Sequence, residues 1–302
     1  MAPNSPGGLI RWVLPTAFVL ALVVVALLVA PYLSGDGSEG RLVLVEISGD
    51  VGVSTADGHV EAAAPGRVVR AAEQLQTGAS SSAILSAGPD TEIRLSPDTR
   101  MTVESIRDDV VTVELDEGRV RADVRGGRRG VRVGSSGRSV QTRDGSVAVA
   151  VNEGILAVEV ERGTVTAEGI DGVERIGAGG RAVVFSDGEA ALGTIPDEVL
   201  LSVAWPEARR TRQRQVPISG TTQPGAVVIV RSGSKDVRLE ANAQGVFSAT
   251  LTLEEGSQPV VVQATDPFGR TVSAEAHIEL DTTPPRIGGG AGVPLDSVQR
   301  TP

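Results

Sequence analysis

Residues 75–103 read LQTGASSSAILSAGPDTEIRLSPDTRMTV. Within that stretch the apolar positions alternate with polar ones in short runs, Ala83–Leu85 and Glu92–Leu95, and each run stops at Gly, Ser, Pro or Asp. Period-two alternation of this length, bounded by turn residues, is the pattern of half-buried β-strands. The same pattern extends in both directions. It is found at Leu42–Ile47, Val110–Leu115, Val120–Val124, Val131–Val133, Ser146–Val151, Leu156–Glu161 and Arg181–Phe185. Only Val68–Gln76, VVRAAEQLQ, has the composition for a helical turn or two. Helical periodicity is otherwise missing, which excludes a doubly wound α/β fold and predicts an all-β region over 41–187, a short-stranded β-solenoid or coiled sheet.

Composition supports this reading. The 302 residues are 40% hydrophobic but only 2% aromatic, so the core is made of Val, Leu, Ile and Ala. Thirty-seven glycines fit many tight turns. The chain has no Cys, which excludes disulfides, a thiol nucleophile and Cys-ligated zinc. A net charge of −10 argues against nucleic acid as a partner.

Toward the N-terminus, residues 12–33 read WVLPTAFVLALVVVALLVAPYL and carry no charge. A hydrocarbon core of about 30 Å is crossed by about 20 such residues, which predicts one N-terminal transmembrane helix. The apolar run is longer than a signal-peptide core, and the small-residue site ending at Ala30 is followed by Pro31, so an uncleaved anchor is expected. Trp12 and Tyr32 fall at the two interfaces of that anchor. Arg11 precedes the span and Asp36 and Glu39 follow it, so residues 1–11 are expected in the cytoplasm and the bulk of the chain outside the inner membrane. About eleven residues are too few to fold on the inner side. Residues 34–40, SGDGSEG, form a spacer.

Toward the C-terminus, residues 188–199 read as a linker, 200–285 as a second β-domain and 286–302 as a disordered tail. Short strands with turns every 8–12 residues predict a sandwich, with Val227, Ile229, Phe247, Leu251, Leu253, Val260 and Val262 facing inward.

Two resemblances follow from quoted phrases. Gly49–Val53 (GDVGV), the 75–103 stretch, Val113–Val124 (VELDEGRVRADV) and Val158–Gly180 (VEVERGTVTAEGIDGVERIGAGG) resemble the FecR domain family over about 140 residues. Where that family often carries a "vrGTxF" motif, this chain has RDGSVAVAV at 143–151. Residues 200–281 resemble a bacterial Ig-like domain, through ISGTTQPGAVVIVRSG at 218–233, the DPFG turn at 266–269 and DTTPP at 281–285. The FecR resemblance implies a periplasmic sensing module; relatives act as transmembrane anti-sigma regulators that hold a sigma factor on the cytoplasmic side.

Chemistry is sparse. His59 and His277 fall in different domains, and no nucleophile–base set or P-loop phrase is present, so neither an enzyme nor a cofactor is expected. Ser232 and Lys235 match S-x-x-K without its companion motifs and read as a hairpin turn. GAGGRA at 177–182 leads into a strand and reads as a turn rather than a phosphate loop. Glu114, Asp116 and Glu117 read as a solvated hairpin tip before Gly118. Asp266 and Asp281, placed near one pole of the second domain, read as turn caps rather than calcium ligands.

Arginine is the distinctive residue. Arg119, Arg121, Arg125, Arg128, Arg129, Arg132, Arg138 and Arg143 fall within 25 residues, interrupted only by Asp123. Arg121 and Arg125 share one strand face, opposite Val120, Ala122 and Val124. Arg121, Arg125, Arg128, Arg129 and Arg132 are the candidate site for an anionic envelope partner, protein or polysaccharide. A solvated face is the competing reading. Arg209, Arg210, Arg212 and Arg214 form a second run. No aromatic residues interleave either cluster, which removes the stacking that single-stranded nucleic acid needs. The expected function is that of a membrane-anchored, non-enzymatic binding or scaffold protein. The alternative is a FecR-type regulator that acts through a separate output partner.

Overall fold

The computed structural model describes residues 41–55, 58–126, 128–206 and 209–283. The membrane-span reading of 12–33, with Trp12 and Tyr32, and the tail at 286–302 lie outside these residues. Every helix or strand element among the described residues is a strand.

The first β-body begins with β1 (Leu42–Ser48), β2 (Val51–Ser54), β3 (Val60–Ala62), β4 (Val68–Val69), β5 (Gln74–Thr77) and β6 (Ser82–Ser86). It continues with β7 (Thr91–Leu95), β8 (Arg100–Ile106), β9 (Val110–Val124), β10 (Gly130–Ser135) and β11 (Arg138–Thr142). β12 (Gly145–Asn152), β13 (Ile155–Glu168), β14 (Arg175–Gly177), β15 (Gly180–Val184) and β16 (Ala190–Thr194) complete it. One layer runs β16-β15-β13-β12-β9-β7-β6-β1-β4. The other runs β14-β13-β11-β10-β9-β8-β5-β2-β3. Leu, Val, Ile, Ala and Met side chains fill the space between the layers, among them the fully buried Leu75, Leu85, Ile93, Met101 and Leu115. Among the described strands of this body, only the β9–β10 pair is parallel. The result is a coiled pair of sheets and not a solenoid, whose neighbouring rungs would all be parallel.

Two strands belong to both layers. β9 pairs with β8 and β10 over its first half and with β7 and β12 over its second. β13 pairs with β12 and β15 first, then with β11 and β14. The change of layer falls at Gly118 (φ +94°) and Gly163 (φ +79°). A Cβ on Gly118 would strike the carbonyl of Asp98, and one on Gly163 the carbonyl of Asp144. Only glycine combines that backbone conformation with that close an approach.

Several expectations are corrected. Glu114, Asp116 and Glu117 are not a hairpin tip but the first half of a continuous strand that bends at Gly118, because a single residue with positive φ redirects a strand without ending it. Val68–Gln76 is not helical: β4 and β5 flank a turn with Ala72 at φ +66°. That arrangement lets Val69 and Leu75 both enter the core. The segment 188–199 contains β16, which extends the first layer by pairing with β15.

The second β-body comprises β17 (Ser202–Ala204), β18 (Arg210–Thr211), β19 (Gln215–Thr221), β20 (Val227–Ser232), β21 (Lys235–Glu240), β22 (Val246–Thr252), β23 (Gly256–Thr265) and β24 (Thr271–Leu280). A three-stranded sheet, β17-β19-β22, and a five-stranded sheet, β18-β24-β23-β20-β21, enclose one core. Phe247, Leu251, Leu253, Val260 and Val262 are buried as expected. Val227 and Ile229 are only half-buried, and Val228 and Val230 take the inward positions. The run AVVIV has no alternation to read, so pairing decides its register. Val228 lies opposite Ala264 and Val230 opposite Val262, both core residues, and paired residues share a face.

Candidate functional site

The arginine-rich segment is divided by the fold. Arg121, in the second half of β9, donates to both carboxylate oxygens of Glu161, at 2.6 Å for Nη1–Oε1, and to Asp123 at 3.1 Å. Arg132, on β10, donates to Glu168 at 2.6 and 3.1 Å and to Gln141 at 2.9 Å. Arg129 is buried and donates to the carbonyls of Ala87 (3.1 Å) and Asp108 (3.3 Å), which ties down the β9–β10 connection. Arg125 and Arg128 sit exposed on that connection. The five candidates therefore do not form one face: Arg121, Arg129 and Arg132 are tied to other strands and loops of the body, and Arg125 and Arg128 lie at exposed positions.

A shallow cleft of about 550 Å³ is lined by Gln141, Arg143, Asp144, Gly163, Thr164, Thr166 and Arg175. Its residues come from β11 (Gln141), the turn between β11 and β12 (Arg143 and Asp144), the bend of β13 and β14. The Gly163 bend turns Thr164 and Thr166 outward while Val165 enters the core. Pairing then sets Gln141 beside Thr166, and Thr166 beside Arg175. The backbone N–H of Gly126 donates to Asp144 Oδ1 at 3.3 Å, joining the Arg125–Arg128 segment to the cleft rim. Arg143 is exposed and only loosely paired with Asp109, at 3.4 Å. The lining offers guanidinium, hydroxyl and amide donors with one carboxylate, a set suited to anionic or hydroxyl-rich ligands. It holds no nucleophile–base pair.

Arg143 was within the arginine run read from sequence; Arg175, Gln141, Thr164 and Thr166 were not singled out. The signal available was the T-V-T alternation after Gly163, which marks two hydroxyls on one strand face.

A second concentration of charge lies where the two bodies meet. Glu159 on β13, Arg181 on β15 and Asp266 before the β23–β24 turn are all buried. Arg270 donates to Glu159 at 2.5 Å and to Asp266 at 2.8 Å through Nε. Arg181 lies 3.7 Å from Glu159 and 3.9 Å from Asp266, and donates to Gln223 at 2.6 Å. The Phe268 ring is within 5.7 Å of the Arg181 guanidinium carbon and 5.9 Å of that of Arg270. Ala150, Ile155, Ala157 and Val183 supply an apolar floor on which Phe268 packs. Burial pushes the Glu159 carboxyl above the ordinary carboxylate range, against the opposing pull of Arg270 and Arg181.

The remaining sequence candidates have local roles. Asp266 accepts the N–H groups of Phe268 and Arg270 and caps its own turn. Asp281 lies beyond the far end of β24, paired with Arg210, so the two carboxylates occupy opposite ends of that strand and do not meet at one pole. Ten extended residues separate them, which rules out a shared cation. Ser232 and Lys235 close the β20–β21 hairpin, and the Ser232 hydroxyl donates to Gln258 at 2.7 Å.

Comparison with known proteins fits the first β-body. Residues 73–166 match the family model described as FecR protein. This stretch runs from the residue before β5 into the second half of β13, and so includes the Gly118 and Gly163 bends. The chain therefore carries a FecR-like domain. A solved protein of Parabacteroides distasonis, assigned as an anti-sigma factor, is 20% identical over 40% of this chain with a TM-score of 0.35. The chain spans 59% of that protein's length. The tetra-tandem repeat in the extending region of a large adhesion protein is 13% identical, covering 82% of this chain and 94% of its own, with a TM-score of 0.27. No curated protein matches the sequence.

Proposed function

We propose that the chain is a membrane-anchored, non-enzymatic envelope protein whose FecR-like domain binds an anionic partner, a protein or polysaccharide of the cell envelope. The observation that carries this reading is the cleft beside β11, β13 and β14, where Arg143 and Arg175 stand among hydroxyl and amide donors and the Arg125–Arg128 segment is joined to the rim through the Gly126 N–H and Asp144. The span at 12–33 anchors the chain in the inner membrane with its bulk outside, and the second β-body acts as an Ig-like sandwich that rigidly supports the first. Bulk repulsion from a net charge of −10 makes local guanidinium donors the means of selecting an anion.

The test is crosslinking in intact cells, with the Arg125→Ser, Arg128→Ser, Arg143→Ser, Arg175→Ser variant beside the native chain. Loss of the crosslinked partner in the variant supports the reading, and an unchanged partner overturns the site. A reporter active only outside the cytoplasm, fused after Pro302, tests the topology.

The FecR match at 73–166 favours a second reading, a transmembrane signalling regulator that acts through a separate output partner. Recovery of a sigma factor from detergent-solubilised membranes selects that reading over a scaffold.

A further inference from the structure

A β-strand at the edge of a sheet offers unpaired N–H and C=O groups, and natural edges are blunted by charge, proline or shortness. Among the described residues the sheet edges follow that rule or lie against a charged strand, with one exception. β3 is three residues long and carries Glu61; β14 is three residues long and carries Arg175; β4 has two residues. In the second body β18 is two residues long and β17 three, while β21 carries Lys235, Asp236, Arg238 and Glu240. β22 is uncharged but lies alongside the charged β21. β16, Ala190-Ala191-Leu192-Gly193-Thr194, has five residues with neither charge nor proline, and it ends its layer.

Hydrogen bonding decides which groups of β16 are open. Phe185 N–H donates to Glu189 O at 2.8 Å, and Ile195 N–H to Gly179 O at 2.8 Å. Bonded pairs alternate along an antiparallel ladder, so Ala191 and Gly193 are engaged by β15. The backbone groups of Ala190, Leu192 and Thr194 point to the open side. Leu192 lies opposite Ala182, a fully buried core residue, and so extends the inner face of the layer, yet it is 61% exposed.

We infer that β16 is a self-association edge, pairing antiparallel with β16 of a second copy of this chain about a two-fold axis at Leu192. Self-pairing is favoured over a foreign strand because the edge is complementary to itself. With Leu192 opposite its own copy, Ala190 faces Thr194 and Thr194 faces Ala190, so all three open residues bond in one register. The two Leu192 side chains, on the same face of the joined layer, cover each other. No charge is placed opposite a like charge within the strand.

The native chain has no Cys, so introduced ones report directly. In the purified full chain, Leu192→Cys is expected to form a disulfide-linked dimer under mild oxidation, since bonded pairs have Cα atoms about 5.5 Å apart, within disulfide range. Thr194→Cys alone is expected to stay unlinked, because the two copies of that position lie about 14 Å apart along the strands. The double variant Ala190→Cys, Thr194→Cys regains the link. Leu192→Lys, at an exposed position, is expected to convert the native dimer to monomer by light scattering. Monomeric native chain with no link through Leu192→Cys overturns the inference. So does a linked product containing a different protein, or an oligomeric state that Leu192→Lys leaves unchanged.

Discussion

Arg270 Nη2 lies 2.5 Å from Glu159 Oε1, a salt bridge that spans 111 residues of sequence and joins the two β-bodies. The same guanidinium is held from its own side by Asp266, at 2.7 Å from Nη2 and 2.8 Å from Nε. Asp266 in turn fixes its turn by accepting two backbone N–H groups. The turn is anchored from the other body as well, because Arg119 Nη1 donates to the Phe268 carbonyl at 2.6 Å. Contacts from both bodies therefore converge on the one turn at Asp266–Arg270.

Replacing Arg270 by Ala removes the partner of a carboxylate that is only 9% exposed and leaves Arg181 as its nearest cation. Removing one member of a buried pair costs several kcal/mol; because Arg270 is itself 34% exposed, about 2 kcal/mol is expected here. Denaturant unfolding measures the loss. The double variant Arg270→Ala, Glu159→Gln should cost less than the sum of the single changes, since it leaves no uncompensated charge.

The layer-crossing glycines predict a graded series. Gly118→Ala and Gly163→Ala each force an L-residue into the left-handed region, at about 1–2 kcal/mol, and also drive a methyl into a backbone carbonyl. A loss of about 3 kcal/mol or more is expected for each. Gly179→Ala has the same sign of φ, +78°, with no atom near the added methyl, and should cost only the first contribution, about 1 kcal/mol. Equal losses at all three positions would show that close approach plays no part.

Strand content was legible because alternation and turn residues are local signals, and the burial of Phe247, Leu251, Val260 and Val262 followed from the same period. Register within AVVIV was not legible, because an all-apolar run carries no phase and only Val262 and Ala264 across the ladder supply it. The bend at Gly118 read as a hairpin tip, since D-E-G looks alike in a turn and in a kinked strand; the carbonyl of Asp98 that selects the kink is a partner distant in sequence. The arginine run was visible as composition, but its division was not: whether an arginine meets Glu161, Glu168 or the Ala87 carbonyl depends on strand order. The cleft combines residues from β11, the β11–β12 turn, β13 and β14, and of these only Arg143, in the turn, belonged to the visible cluster.

Glu159 predicts a pH dependence of defined sign. Burial raises its folded-state value above 4.5, with Arg270 and Arg181 pulling it down less strongly. Between 4.5 and the raised folded value the native state binds more protons than the unfolded chain, so stability falls as pH rises through that window and is level above it. Subtracting the unfolding free energy of Glu159→Gln from that of the native chain, measured at matched pH, should isolate this slope. A difference that is flat, or that rises with pH, contradicts the assigned balance between burial and ion pairing.

Phe268 separates apolar packing from attraction to the two guanidinium groups. Its ring packs on Ala150, Ile155, Ala157 and Val183 and lies within 5.7 and 5.9 Å of Arg181 and Arg270. Phe268→Leu keeps most of the apolar contact and removes the ring's negative face, a loss of about 1 kcal/mol for partly desolvated cations. Phe268→Ala also removes the packing and should lose about 3 kcal/mol in total. The change that distinguishes the two effects is the response to Arg270→Ala. If the ring acts on the cation, Phe268→Leu costs less once Arg270 is gone; if it acts only by packing, the cost is the same in both backgrounds. Denaturant unfolding of the four chains in that cycle measures the coupling directly.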